Sequence, residues 1–148
     1  MTVGVILDHK VPNIILRIDG CSLGNPGPAG VGVLMENKNG ETVVKRSKAI
    51  GVRTNNEAEY MALIEALKLA SRFKGGEVTV YSDSLLLVKQ MRGEYKVADK
   101  ALKELYLKVR KLQNNFSSVS YVHVSRNANS KADWLAKEAA KKNVGQGL

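Results

Sequence analysis

The sequence predicts a mixed α/β domain in which one sheet of five strands carries helices on both faces. Three short strand-like runs follow one another at the start, separated by turn residues. The apolar spacing then becomes helical, and strand and helix segments follow in the order β-α-α-β-α. This succession is typical of a mixed sheet, and 148 residues suit a single domain.

The first three strands are expected to form an antiparallel meander. The compact apolar run Ile14–Asp19 predicts a buried strand, which Gly24–Gly27 ends by its turn composition. A second strand is predicted over Gly30–Met35. The residues Asn37–Gly40 are typical of a hairpin turn and lead into a third strand over Glu41–Ile50.

The first long helix is predicted from its start signal. Thr54 followed by Glu57 matches a capping box, and apolar residues recur at helical spacing to about Phe73. The pair Gly75-Gly76 then ends the helix.

The second half of the chain alternates between strands and helices. A last helix is expected to begin after an N-cap at Asn129 or Ser130 and to end near Lys142. Before it, the pattern predicts a strand over Val78–Asp83, a short helix over Ser84–Met91, a helix marked by Leu102, Leu105, Val109 and Leu112, and a strand over Val119–Val124.

The folded domain is expected to span residues 13–142. Residues 1–12 are interpreted as a flexible N-terminal lead and residues 143–148 as a flexible tail.

Composition and charge limit the possible functions. A net charge of +9 and a pI near 9.7 favour polyanionic partners. No apolar run approaches the roughly 20 residues that cross a bilayer, so no membrane partner is expected. Cys21 is the one cysteine and excludes an internal disulfide; with His9 and His123 it is also too little for a four-ligand zinc site. A cytoplasmic location is expected.

Four carboxylates lie in recognisable local patterns. Asp19 opens DGCSLGNPG, Glu59 closes TNNEAE, Asp83 lies in YSDS, and Asp133 lies in NSKADWLA. If folding brought them together they would repel one another, unless divalent cations lay between them. Two cations held by carboxylates are a common apparatus for the hydrolysis of phosphodiesters.

Each of these acids also has a plain structural explanation. Asp19 could only form a turn, Glu59 could be a solvated helix residue, Asp83 could be an N-cap, and Asp133 could complement a helix dipole. For Glu59 the spacing argues otherwise, because it shares its helical face with apolar residues and a buried charge needs a partner.

Taken together and in this order, the motifs resemble type 1 ribonuclease H (RNase HI) over about Ile14 to Ala140. The resemblance implies a ribonuclease H-like fold, with three antiparallel strands followed by two parallel ones. It also implies that all four carboxylates, Asp19, Glu59, Asp83 and Asp133, are catalytic and hold two Mg²⁺ or Mn²⁺ ions.

The resemblance further implies endonucleolytic cleavage of the RNA strand of RNA/DNA hybrids, giving 5′-phosphate and 3′-hydroxyl ends. The RNA 2′-hydroxyl would distinguish the strands. Double-stranded RNA is allowed as a second substrate, and a monomer is expected. The residues implied to contact substrate are Gly20, Cys21, Ser22, Asn25, Thr54, Asn55, Asn56 and Ser84.

The chain departs from the familiar bacterial pattern at two places, and its short GEYKV segment resembles the archaeal-like branch of the family. Leu85 stands where the family often has a substrate-contacting glutamine, and the segment between Gln90 and Leu102 is too short for the basic protrusion of many bacterial members. Substrate would then be held by other basic residues, for which the candidates are Lys89, Arg92, Lys96 and Lys100.

The family has a mobile loop residue before the last carboxylate that helps product to leave. A gap-free alignment gives this role to His123, but His123 lies in a predicted strand as a half-buried side chain, and the archaeal-like branch favours Arg126. Trp134 is interpreted as a packing residue rather than a base-stacking one.

Two other functions remain open at this point. The chain could be a non-catalytic module that binds hybrids or double-stranded RNA on the same fold, or another nuclease of the superfamily such as a junction resolvase. The presence of all four carboxylates disfavours the first, and the TNN and GNPG elements disfavour the second.

Overall fold

A computed structural model of the chain describes residues 13–73 and 76–146. The expected lead, residues 1–12, and the last two residues of the expected tail lie outside these ranges. The first half of the chain forms strands β1 (Asn13–Ser22), β2 (Gly27–Glu36) and β3 (Thr42–Arg53), followed by helix α1 (Asn55–Ala70).

The second half alternates as predicted. Its elements are strand β4 (Glu77–Ser82), helices α2 (Leu85–Met91) and α3 (Lys100–Gln113), strand β5 (Ser118–His123), a short 3₁₀ turn (Asn127–Asn129) and helix α4 (Ser130–Gln146). None of the helices in the described ranges has both the length and the apolar character to cross a bilayer.

The five strands form one mixed sheet in the order β3-β2-β1-β4-β5. Strand β2 pairs antiparallel with both β1 and β3, whereas β4 pairs parallel with both β1 and β5. The predicted fold class is therefore confirmed. Strands β1 and β4 lie side by side in the centre, so their carboxyl ends open at the same edge.

One face of the sheet is covered by α1, with α3 packed outside it. Helix α1 is buried on most of its circumference because it lies between β1 and α3. The main apolar core fills this layer, with Leu16, Ile18 and Val80 from the sheet and Leu63 and Leu67 from the helix fully buried.

Helix α4 covers the other face and lies very close to β2. A Cβ on Gly32 would come 2.2 Å from the carbonyl oxygen of Ala132, and one on Gly30 would come 2.5 Å from the backbone nitrogen of Ala140. These glycines lie two residues apart, so both point to the same face of the sheet. The helix can lie backbone to backbone on the strand only because neither position has a side chain.

Two local predictions need correction, and one alternative is excluded. Ser84 is the N-cap of α2, and its Oγ accepts a hydrogen bond from Leu87 N at 3.2 Å, so the alternative that Asp83 caps this helix is excluded. Asn129 does not cap α4, because its amide nitrogen bonds to β1 and its Oδ1 has no partner in the described part of the chain. The last helix continues past Lys142 to Gln146.

The extension of α4 is held by contacts to the sheet. Asn143, expected in the flexible tail, donates through Nδ2 to the carbonyl oxygens of Gly51, at 2.8 Å, and Ala29, at 3.3 Å. These bonds fix the last turns of the helix to β2 and β3, so residues 143–146 belong to the folded domain.

Candidate active site

The site begins at the carboxyl half of the central strand β1, where Asp19 is 4% exposed. The next residue allows α1 to approach, since a Cβ on Gly20 would come 2.2 Å from the backbone of Ala58. Gly20 N also donates to Glu59 Oε1 at 2.9 Å. The short contact and this hydrogen bond together place Glu59 beside Asp19.

Asp83 is supplied by the parallel neighbour of β1, directly after the end of β4. Because Ser84 caps α2, the carboxylate of Asp83 is not used by the helix. Its Oδ2 is buried and has no hydrogen-bond partner among the described residues. An orphaned carboxylate oxygen is costly unless something positive meets it.

Three of the predicted carboxylates converge. One oxygen from each of Asp19, Glu59 and Asp83 lies within 4.8 Å of the other two. Burial first, and then repulsion from Glu59 and Asp83, raise the pKa of Asp19 to about 10. Burial and the charge of Asp83 raise the pKa of Glu59 to about 8. Such an arrangement disfavours three negative charges by themselves and favours them around a cation.

This donor set fits a hard divalent cation. All three ligand atoms are carboxylate oxygens, which Mg²⁺ and Mn²⁺ prefer over nitrogen or sulfur. The unpartnered Asp83 Oδ2 is the kind of atom that a cation would satisfy.

Asp133 lies beside this trio rather than within it. It is in the first turn of α4, its side chain is 19% exposed, and its Oδ2 lies 3.1 Å from Lys137 Nζ. Burial alone would raise its pKa, but hydrogen bonds from a protonated Asp19 and from Lys137 lower it. The fourth carboxylate is thus the most readily ionised of the four.

Asn129 is a site residue that the sequence did not reveal. Its Nδ2 donates to the carbonyl oxygen of Ile18 at 2.7 Å, next to Asp19 in the chain and 111 positions away from Asn129 itself. The bond ties the turn before α4 to the central strand. One asparagine in a polar stretch carries no sequence signal for such a distant contact.

Arg126 lies on the loop between β5 and the 3₁₀ turn. Burial raises the pKa of Asp83, and the positive charge of Arg126 is the largest influence that lowers it. Arg126 also lowers the pKa of Glu59 and of Asp133. His123 has a smaller effect on Asp83. His123 is exposed, not half-buried as expected, because it is the last residue of the edge strand β5.

The predicted substrate residues form a linked rim at this edge. Ser22 N donates to Asn55 Oδ1 at 3.2 Å, and Asn55 N donates to Asn25 Oδ1 at 3.0 Å. Thr54 caps α1 through the predicted capping box. Asn25, Asn55 and Asn56 are exposed, so their side chains are accessible to a substrate.

The remaining predicted substrate residues have internal partners or partial burial. The N–H of Gly20 and the hydroxyl of Ser84 are engaged by Glu59 and by the start of α2. Cys21 is partly buried, and burial followed by the charge of Asp19 raises the pKa of its thiol.

The candidate basic residues and Trp134 lie on the surface. Lys89 and Arg92 both pair with Glu94, at 3.3 and 3.8 Å, whereas Lys96 and Lys100 are exposed. The packing role predicted for Trp134 is wrong, because the side chain is 61% exposed. The face of α4 that packs on the sheet is occupied by alanines instead.

Comparison with known proteins identifies relatives over most of the chain. Residues 17–139 match the family model described as reverse transcriptase-like. The ribonuclease HI of Halobacterium salinarum is 41% identical over 121 residues, which are 82% of this chain and 61% of that protein. A bifunctional protein of Mycobacterium tuberculosis is 42% identical over 127 residues, which are 85% of this chain and 35% of that protein.

Solved structures show the same fold. The crystal structure of RNase H1 from Halobacterium salinarum has a TM-score of 0.85 and 38% identity, covering 88% of this chain and 98% of that one. The structure of LC11-RNase H1 in complex with an RNA/DNA hybrid has a TM-score of 0.83 and 40% identity, covering 88% and 99%. This chain therefore belongs to the ribonuclease H1 family, within the reverse transcriptase-like group.

Proposed function

We propose that this protein hydrolyses the RNA strand of RNA/DNA hybrids endonucleolytically, with divalent cations held by Asp19, Glu59, Asp83 and Asp133. The observation that carries the proposal is the convergence of three carboxylate oxygens within 4.8 Å. The bound hybrid in the LC11-RNase H1 structure supports the substrate class.

The cations proposed are two Mg²⁺ or Mn²⁺ ions. When bound, they would supply an activated water and stabilisation of the leaving 3′ oxygen, giving 5′-phosphate and 3′-hydroxyl products. A bound cation would oppose the effects that raise the pKa values of Asp19, Glu59 and Asp83, because each carboxylate must be deprotonated to bind it. The Gly20 N–H orients Glu59 by fixing one of its two oxygens.

Arg126 is proposed as the loop residue that acts on the phosphate. It is exposed, and its charge reaches Asp83, Glu59 and Asp133. A guanidinium stays protonated at any working pH, so it cannot be a general base. It would stabilise developing charge or draw the product phosphate away. His123 is the alternative, with a weaker influence on the site.

Substrate would lie along the rim of Ser22, Asn25 and Asn55 and beside the exposed Asn56, since asparagine amides suit contacts to phosphate and sugar. The net charge of +9 would add binding without sequence preference. A monomer acting on hybrids is proposed, and double-stranded RNA stays open as a second substrate that the cleavage test below decides.

The test is cleavage of an end-labelled RNA/DNA hybrid, double-stranded RNA and double-stranded DNA, each with Mn²⁺ or with a chelator. We expect cation-dependent cleavage of the RNA strand of the hybrid, at internal positions, and intact DNA. Asp83→Asn is the control for contaminating nuclease. Hybrid binding without cleavage by the wild type would favour the non-catalytic module, and cleavage of branched DNA would favour a resolvase.

A further inference from the structure

Asp133 forms an ion pair with a lysine side chain. Lys137 lies one helical turn after it on α4, with Nζ 3.1 Å from Asp133 Oδ2. The lysine side chain is 48% exposed and the aspartate 19%, so the pair lies at the mouth of the site. The charge of Lys137 also opposes the raised pKa of the Cys21 thiol, so the ammonium lies on the side of the site nearest β1.

The other three carboxylates differ in this respect. Among the residues that the structure describes, Asp133 is the one of the four carboxylates with an ion pair within 4.0 Å. Asp19, Glu59 and Asp83 have none among these described residues. Those three carry raised pKa values. Within the described ranges, the trio of Asp19, Glu59 and Asp83 therefore has no ion-pair partner, whereas Asp133 already has the ammonium group of Lys137.

We propose that Lys137 is a positioning residue that holds Asp133 beside the trio in the cation-free protein and releases it only to a second divalent cation. This inference rests on the proposed function, because it requires that divalent cations bind here. It predicts two unequal binding steps. The first occupies the trio of Asp19, Glu59 and Asp83, and the second competes with Lys137 for Asp133.

The strength of the competition between Lys137 and the second cation depends on how exposed the Asp133–Lys137 ion pair is. A partly exposed ion pair contributes at most about 1 kcal/mol, so removing Lys137 should strengthen the second step by roughly 5-fold. The first step should change little, because its ligands make no ion pair with this lysine within 4.0 Å.

The experiment is a calorimetric titration of the whole protein with Mn²⁺ in the absence of nucleic acid. Lys137→Met removes the charge and keeps the length of the side chain. Lys137→Arg keeps the charge. Lys141→Met is the matched control, since Lys141 lies one turn further along α4 and pairs with Glu138 at 3.8 Å. It removes the same charge from the same helix, away from Asp133.

We expect the second Mn²⁺ step to tighten about 5-fold in Lys137→Met and to stay near wild type in Lys137→Arg and Lys141→Met. A second step that is unchanged or weaker in Lys137→Met would overturn the role of Lys137, as would equal tightening in Lys141→Met or a single step shared by all variants. A wild type that binds no Mn²⁺ at all would overturn the proposed function and this inference with it, whereas Mn²⁺ steps that do not respond to Lys137→Met would overturn this inference alone.

Discussion

The two helices that complete the site reach the sheet by the same means but deliver carboxylates of different character. Helix α1 approaches β1 at Gly20, and helix α4 approaches β2 at Gly30 and Gly32. On the α1 side, Glu59 accepts a hydrogen bond from the Gly20 N–H, and burial raises the pKa of Glu59 to about 8. The α4 side brings Asp133, which is more accessible and whose pKa is lowered.

This difference teaches that close packing and ligand strength are separate properties. Both approaches leave no space for a Cβ, yet only the α1 approach places its acid in a crowded cluster of carboxylates. Without a cation, the electrostatic repulsion between carboxylates is therefore concentrated on the α1 side. The α4 side supplies an ionised group whose charge is already compensated.

The largest effect should come from the crowded side. We expect Asp19→Asn to lower the rate of hybrid cleavage by more than about 1,000-fold and Asp133→Asn to lower it less, because Asp19 belongs to the trio. The measurement is single-turnover cleavage in Mg²⁺. Hybrid affinity should persist or improve in both variants, since each loses a negative charge. Full activity of Asp19→Asn would contradict the metal site.

The two close approaches can be compared by adding one methyl group to each. Gly20→Ala and Gly32→Ala would each put a Cβ about 2.2 Å from backbone atoms, which cannot move like a flexible side chain. We expect each to lower the free energy of unfolding by about 3 kcal/mol, measured in urea. Only Gly20→Ala should also weaken the first Mn²⁺ step, because it displaces Glu59.

The control for the glycine variants is Ser118→Ala, at an exposed position of β5, which should stay within about 0.5 kcal/mol of wild type. Equal loss of Mn²⁺ affinity in Gly20→Ala and Gly32→Ala would show instead that both helices position the trio.

Substitutions of Arg126 and His123 show which of the two side chains has the catalytic role of the loop. Arg126→Ala should lower kcat by roughly 10- to 1,000-fold, in line with loss of one electrostatic donor, with a smaller change in hybrid affinity. Arg126→Lys should restore part of the rate, because a point charge lacks the bidentate fork. His123→Ala is the matched control and should cost much less. The reverse ranking would assign the loop role to His123.

The pH dependence of stability gives the smallest effect. The folded-state pKa values of Asp19 and Glu59 lie above their ordinary values, at about 10 and about 8. The folded protein therefore binds more protons than the unfolded chain above pH ~4, so its stability should fall as pH rises from there towards 8. Thermal unfolding without cations should show this fall.

Two comparisons sharpen that measurement. Mn²⁺ should restore stability most at the higher pH, because it replaces the protons of the cluster. Asp19→Asn should be more stable than the cation-free wild type at pH 8, by roughly 1–3 kcal/mol. Cation-free stability that rises between pH 5 and pH 8 would contradict the raised pKa values.

The fold and the three converging carboxylates could be predicted from the sequence because both depend on local patterns. Apolar periodicity and the capping box at Thr54 located the elements, and strand ends located Asp19 and Asp83. Contacts between distant segments leave no local pattern in the sequence. The bond from Asn129 to Ile18 could not be read from either segment alone.

Other features were visible in the sequence but ambiguous. Asp83 and Ser84 are both good N-caps, and only the direction of the chain after β4 decides between them. The pair Gly30 and Gly32, spaced to share one strand face, could have indicated a close helix, although glycines in strands have several causes. Lys137 matched an ordinary i,i+4 helix pair, and its nearness to the site depends on the placement of α4.

The hydrogen bond from Gly20 to Glu59 has a consequence for how cation and substrate depend on each other. The backbone holds one Glu59 oxygen, and one oxygen from each member of the trio lies within 4.8 Å of the other two, so a cation bound through these oxygens would have three protein ligands. A cation such as Mg²⁺, which takes about six oxygen ligands, would then keep roughly half of its coordination for water or substrate oxygens. Under the proposed function, a bound hybrid would tighten the cation, and by thermodynamic reciprocity the cation would tighten the hybrid by the same factor.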